Sequence, residues 1–199
     1  LVEKPTHPRS DLAVIGVYFF TSRIHDAVRA IPPSARGELE ITDAMQYLIE
    51  QGDTVTAVEY SGYWQDTGKI EGLLECNRVL LNRIEPEMQG HVDEESVLDG
   101  VVVVAPGATV VRSRLTGPLL IGSDTVVQDS RIGPHTSLGA GCMVHGADIE
   151  DSILLDGAVL DGARPLRASL IGRGAKVTSP PGTCAHQLIV GDDCLAVLA

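Results

Sequence analysis

An acid and a cation, Glu3 and Lys4, stand side by side ahead of Pro5, at what reads as the end of a short strand. Further on, Arg36-Gly37-Glu38-Leu39-Glu40-Ile41-Thr42-Asp43 carries one cation and three acids into the start of a helix. A third stretch, Gly62-Tyr63-Trp64-Gln65-Asp66-Thr67-Gly68, sets an aromatic and a carboxylate in a glycine-flanked turn. Open α/β sheets gather their ligands in the crevice beyond the carboxyl ends of the strands, so charged groups at such ends would build a polar binding site. Each stretch also has a plainer reading. Glu3 and Lys4 form an exposed ion pair of little weight. The acids of the second stretch complement the positive end of a helix dipole. Asp66-Thr67-Gly68 is an Asx-type turn. Their serial order, ahead of a repeat, favours a site.

The elements that would position these groups follow from pattern. Ala13 to Phe20 is a near-continuous apolar run, expected as a buried strand. Residues 22–30 read as a helix with Ser22 as its cap, stopped by Pro32 and Pro33. From Glu40 to Gln51, Ile41, Ala44, Met45, Leu48 and Ile49 share one helical stripe, and Gly52 suits the stop. Thr54 to Tyr60 alternates as a strand, and Ile70 to Ile84 recurs at helical spacing. Strand, helix, helix, strand, helix is α/β grammar, expected here as the trailing part of a larger sheet. The chain opens at Leu1 without a methionine, which reads as a cut edge.

A different clock runs in the second half. Val104, Ile121, Leu138, Leu155 and Ile171 recur at steps of 17, 17, 17 and 16 residues. Between them lie Val110, Val127, Ile132, Val144, Ile149 and Val177. One inward aliphatic per face, three faces per turn, is the arithmetic of a triangular parallel β-helix. The expected division is 1–84 for the α/β part, 85–95 as an acidic, Pro- and Gly-bearing linker, and 96–199 for the β-helix with its tail as a cap.

Bulk numbers exclude several classes. The 199 residues carry a formal charge of −12, which disfavours nucleic acid and anionic membrane as partners. Cys76, Cys142, Cys184 and Cys194 show no paired spacing, so neither zinc nor a disulfide framework is expected. No apolar run approaches the ~20 residues of a membrane span. A reducing cytoplasm is the expected setting.

L-V-E-K-P, A-V-I-G-V-Y-F-F, R-G-E-L-E-I-T-D and W-Q-D-T-G, followed by hexapeptide repeats, resemble the sugar-1-phosphate nucleotidyltransferases, in the long form with a C-terminal left-handed β-helix. R-G-E-L-E-I-T-D with W-x-D-T-G points to the thymidylyl branch. The resemblance implies transfer of a thymidylyl group from dTTP to glucose-1-phosphate or a related hexose-1-phosphate. It implies that Glu3 accepts hydrogen bonds from sugar hydroxyls, that Lys4 is the catalytic cation on the sugar phosphate, and that Val14 lines the sugar pocket. It further implies that Trp64 supports the turn of Asp66, one of two carboxylates on Mg²⁺. The family's G-G-x-G-T-R-L nucleotide loop and its second metal aspartate have no counterpart here, so the resemblance implies a nucleotide half ahead of Leu1 and no turnover by this chain alone.

Two rival functions remain. Hexapeptide prisms also build acyltransferases with a catalytic histidine, for which His135 and His145 are the candidates. The prism is also expected to serve as a homo-oligomerisation module, with Ile132 pointing inward.

Overall fold

The computed structural model describes residues 1–8, 10–162, 165–179 and 187–197. Chain contacts divide the protein into two units, Leu1–Gly62 and Tyr63–Ala199.

The first unit is built on two helices, α1 (Ile24–Ala30) and α2 (Ile41–Glu50). Its small core joins Ala27 of α1 to Ala44 and Leu48 of α2, with Ile24, Ile31 and Tyr47 packed around them. Thr42 and Met45 complete the buried stripe of α2, following the helical period of the sequence. The chain leaves α1 at Ile31 in extended conformation, as a residue ahead of proline must. Ser22 does not cap this helix; Arg23 holds that position, without a side-chain cap bond.

The strands expected at Ala13–Phe20 and Thr54–Tyr60 are not formed. Val17 is 78% exposed, and Phe19 and Val58 are each 92% exposed. An apolar run reports a preference for burial, but a strand exists only where a neighbouring strand accepts its backbone hydrogen bonds. Among the described residues of this unit there is no such neighbour.

In the second unit α3 (Ile70–Leu81) precedes a three-faced parallel β-helix. Two faces hold seven strands and the third holds five, all in parallel register. Each inward column is a ladder of aliphatic side chains. On the first face it runs Val104, Ile121, Leu138, Leu154, Ile171, Val190. On the second it runs Val92, Val110, Val127, Val144, Leu160, Val177, Ala196. The third column, Leu98, Leu115, Ile132, Ile149, Leu166, keeps a strict 17-residue step.

Two expectations need correction. The fourth anchor of the repeat is Leu154, which is 1% exposed, while Leu155 is 37% exposed and lies at a corner. Ile153, Leu154 and Leu155 are consecutive aliphatics, so hydrophobicity alone does not choose among them; strand pairing does. Residues 85–95 are also no mere linker. Glu87–Met88 pairs with Val103 and Val104, and His91–Val92 pairs with Thr109 and Val110, which makes this segment the first coil. Its Pro, Gly and acids are corner chemistry, indistinguishable by composition from a linker. At the other end, Ile189–Val190 and Leu195–Val197 extend two faces as a further coil. Cys184 and the rest of the expected cap at 183–186 and 198–199 lie outside the described residues.

Two corners are stitched by serine columns. Ser96 Oγ accepts from the N–H of Ser113 at 3.0 Å, Ser113 Oγ from that of Ser130 at 3.1 Å, and Ser130 Oγ from that of Ala147 at 3.1 Å. Ser113 and Ser130 each donate in turn to the carbonyl two residues earlier. Ser152 and Ser169 repeat the device at another corner. Ser130→Ala would strip the buried Ala147 N–H of its partner, while the Gln128 carbonyl keeps the Gly146 N–H. A loss of about 1–3 kcal/mol in urea unfolding is expected, and an unchanged midpoint would show that the column contributes nothing.

Candidate functional site

The sequence segments nominated for chemistry fall in both units, Glu3, Lys4 and Val14 in the first and Trp64 and Asp66 in the second. In the first, Arg36 is the hub. Its guanidinium meets Glu3 Oε1 at 3.6 Å, Glu38 Oε2 at 3.1 Å and Glu40 Oε1 at 3.4 Å. Gly37, at φ +78°, makes the turn that returns the acids toward it, a conformation open to glycine without a Cβ penalty. Ser34 Oγ donates to Glu40 Oε1 at 2.9 Å, and Glu40 is nearly buried. Thr42, in the first turn of α2, donates to Glu3 Oε2 at 2.9 Å.

Glu3 is therefore held from two sides, by Thr42 on one oxygen and Arg36 on the other. A carboxylate offers about four acceptor positions, so it retains room for a ligand's hydroxyls. Lys4 has a different standing. Its ammonium lies 4.0 Å from Glu3, at the limit of an ion pair, and its side chain is 70% exposed. Its backbone sits at φ +36°, in the left-handed region that non-glycine residues seldom occupy. The cation is presented rather than consumed. Val14 stands half exposed outside any helix or strand, and no hydrogen bond or ion pair among the described residues ties it to this cluster. Arg36, Glu40 and Thr42 went unassigned from sequence, although all three sit inside R-G-E-L-E-I-T-D.

In the second unit Asp66 Oδ1 accepts from the N–H of Gly68 at 2.8 Å, the Asx turn expected of Asp66-Thr67-Gly68. Trp64 is about half exposed beside it. The turn leans on α3 at Gly72, where a Cβ would fall 2.0 Å from the Asp66 carbonyl oxygen. Glycine inside a helix costs roughly 1 kcal/mol against alanine; here it is the condition for seating the turn. Gly72→Ala is expected to displace Asp66 and Thr67, seen as large amide shifts at those residues in an ¹⁵N spectrum. Unchanged shifts with a raised melting point would show that the turn does not need the contact.

α3 is fastened to the β-helix by polar bonds. Asn77 Nδ2 donates to the His135 carbonyl at 2.9 Å and Ser137 Oγ donates to Asn77 Oδ1 at 2.9 Å. Arg78 grips both oxygens of Asp151, at 2.7 and 2.5 Å. The His135 ring lies 3.1 Å from Asn82 Oδ1. His145 lies between two carboxylates, 2.9 Å from Asp161 and 3.7 Å from Asp129. Asp129 is also gripped by Arg112 at 2.8 Å on each oxygen, which holds its carboxyl down at about 2. Both histidines thus have polar partners within the second unit.

A divalent metal would meet a single aspartate in Asp66, whose Oδ2 makes none of the hydrogen bonds seen among the described residues. No group of three or more His, Cys, Asp or Glu able to hold a metal ion occurs among those residues. Magnesium commonly takes one or two carboxylates and completes its shell with water and substrate phosphate, so Asp66 fits as one ligand of several. No helix among the described residues is long and apolar enough to cross a membrane.

Residues 1–83 match the nucleotidyl transferase family. The chain is 50% identical over 193 residues, 96% of its length, to glucose-1-phosphate thymidylyltransferase of Streptomyces antibioticus, of which it covers 54%. It is 50% identical over 200 residues to the enzyme of the same name from Streptomyces griseus, covering 56% of it. A low-salt glycan biosynthesis nucleotidyltransferase, Agl11 of Haloferax volcanii, is 35% identical over 97% of this chain and 55% of its own. The chain thus spans about half the length of the curated relatives it matches.

Proposed function

We propose, for a chain whose residues 1–83 match the nucleotidyl transferase family, that it supplies the sugar-phosphate side and the β-helix of a glucose-1-phosphate thymidylyltransferase. The observation that carries this reading is 50% identity running across nearly the whole chain, β-helix included. In the reaction, a phosphate oxygen of glucose-1-phosphate attacks the α-phosphorus of dTTP. The new P–O bond forms as the bond to the bridging oxygen breaks, and pyrophosphate leaves. Such transfers rest on positioning and on neutralising charge.

Each residue has a place in that scheme. Lys4, exposed and only loosely paired, would hold the sugar phosphate. Glu3, steadied by Thr42 and Arg36, would accept from the sugar hydroxyls, and Val14 would line the pocket beside them. Trp64 would back the turn of Asp66, and Asp66 would be a ligand of Mg²⁺, whose charge would offset that of the phosphates when bound. The test is pyrophosphate release from dTTP and glucose-1-phosphate. Protein translated from the gene's full reading frame is expected to release it steadily, and the 199-residue chain alone is not. Failure of the full-frame protein would overturn the assignment.

The β-helix is proposed to join copies of the protein. Its second face carries an outward apolar column of Val126, Met143 and Val159, with Val126 40% and Met143 54% exposed. A ladder of apolar side chains on a flat face suits a self-complementary contact. Met143→Asp is expected to lower the mass measured by sedimentation; an unchanged mass would remove this face from the interface.

A further inference from the structure

The third face of the β-helix carries an arrangement that the transfer reaction does not use. Arg114 and Arg131 are register partners on adjacent parallel strands. Leu115 and Ile132, the next residues of the same strands, are fully buried, so both arginines project outward. Adjacent strands lie about 4.8 Å apart, which roots the two arginine side chains opposite one another on the same outward face. Like charges in that relation destabilise a sheet. The chain has 27 acidic residues against 15 basic ones, yet neither guanidinium forms an ion pair or hydrogen bond among the described residues.

Their neighbours explain why no internal carboxylate relieves them. Arg114 and Arg131 line a groove of about 390 Å³ together with Arg112, Glu95, Asp129 and Asp148. Asp129 is taken up by both oxygens on Arg112. Asp148, the register partner of Arg131 on the next strand, lies 3.6 Å from an Arg167 nitrogen that is nearer Glu150, at 3.1 Å, and its Oδ1 makes no hydrogen bond among the described residues. Glu95 and Asp148 are the acids of that lining left over, and neither forms an ion pair with Arg114 or Arg131 among the described residues. The serine hydroxyls of the floor are spent on the corner column, so recognition falls to the guanidinium forks.

From this geometry we infer an oxyanion site on the β-helix, in which Arg114 and Arg131 together grip a phosphate-bearing small molecule. Two planar five-donor groups side by side match a multivalent phosphate better than a single carboxylate. The groove is open, as a site for a soluble ligand entering from solvent would be, and its size falls in the range of small-molecule sites. It lies wholly within the second unit and shares no residue with the Glu3–Lys4 cluster, so it does not depend on the assignment of the transfer reaction.

Inorganic pyrophosphate is the probe, titrated by calorimetry into the 199-residue chain at low ionic strength. Saturable binding is expected, weakening as salt is raised. Arg114→Gln/Arg131→Gln should weaken it by about tenfold or more, with amide shifts of the wild type confined to the strands around residues 114 and 131. Lys4→Gln serves as the control and should leave this binding intact. Both altered arginines are exposed, so a far-ultraviolet spectrum like that of the wild type is expected. Absence of binding would overturn the inference, as would binding lost with Lys4→Gln but kept in the arginine double variant. A drop in sedimenting mass in the double variant, without any effect on pyrophosphate, would assign the pair to a contact between copies instead.

Discussion

Ile132→Asp is expected to abolish the cooperative unfolding transition of the β-helix, leaving a chain with a flattened far-ultraviolet spectrum and no thermal midpoint. Ile132 is fully buried in the middle of the column Leu98, Leu115, Ile132, Ile149, Leu166. A carboxylate there would face only aliphatic side chains above and below. Losing the buried aliphatic costs about 2–5 kcal/mol, and burying an unpaired charge adds several kcal/mol more before the group protonates. Small domains have only about 5–15 kcal/mol in hand. In a stacked array each coil touches only its neighbours, so damage to a central coil also cuts the array in two. Lys176→Asp, an outward position on another face, is the control and should melt close to the wild type. If Ile132→Asp melted with it, the inward placement of the third column would be wrong.

How much of this was legible in the residues depends on the kind of information each feature needs. The β-helix was readable because one aliphatic per face recurs on a fixed step, and a hydrophobic period of 17 has few other physical solutions. Its register was readable only to within one residue where Ile153, Leu154 and Leu155 run together, since the alternation of a strand cannot rank three aliphatics. The coil at 87–92 was hidden because corners and linkers draw on the same Pro, Gly and acids. In the first unit the helices followed their stripes. The segments at 13–20 and 54–60 did not become strands, because pairing is a property of two segments and hydrophobicity a property of one. The site divides in the same way. Glu3, Lys4 and Asp66 stand out as charges in short motifs. That Arg36 and Thr42 close on Glu3 across more than thirty positions of chain is a tertiary fact. Gly72 reads as a weak point in a helix until the Asp66 carbonyl is seen against it.

Lys4→Met, made in the protein translated from the full reading frame, is expected to lower kcat/KM for glucose-1-phosphate by roughly ten- to a hundredfold while leaving the melting temperature in place. Methionine keeps most of the stem and removes only the charge. A charge-assisted hydrogen bond contributes about 1.5–3 kcal/mol, and each 1.4 kcal/mol is about tenfold. Stability should not move, because the Lys4 side chain is 70% exposed and the acid it faces, Glu3, is 4.0 Å away; pairs of that kind contribute little. The division between kcat and KM tells what the cation does. A rise in KM alone would mean that Lys4 holds the sugar phosphate equally in the ground and transition states. An equal fall in kcat and kcat/KM would mean that it acts where charge builds during the attack. Arg36→Met offers the contrast: it removes the hub of Glu3, Glu38 and Glu40, so it should lower stability as well as activity. If Lys4→Met turned over like the wild type, the exposed cation at the head of the chain would be an ordinary surface charge, and the sugar phosphate would have to be held elsewhere.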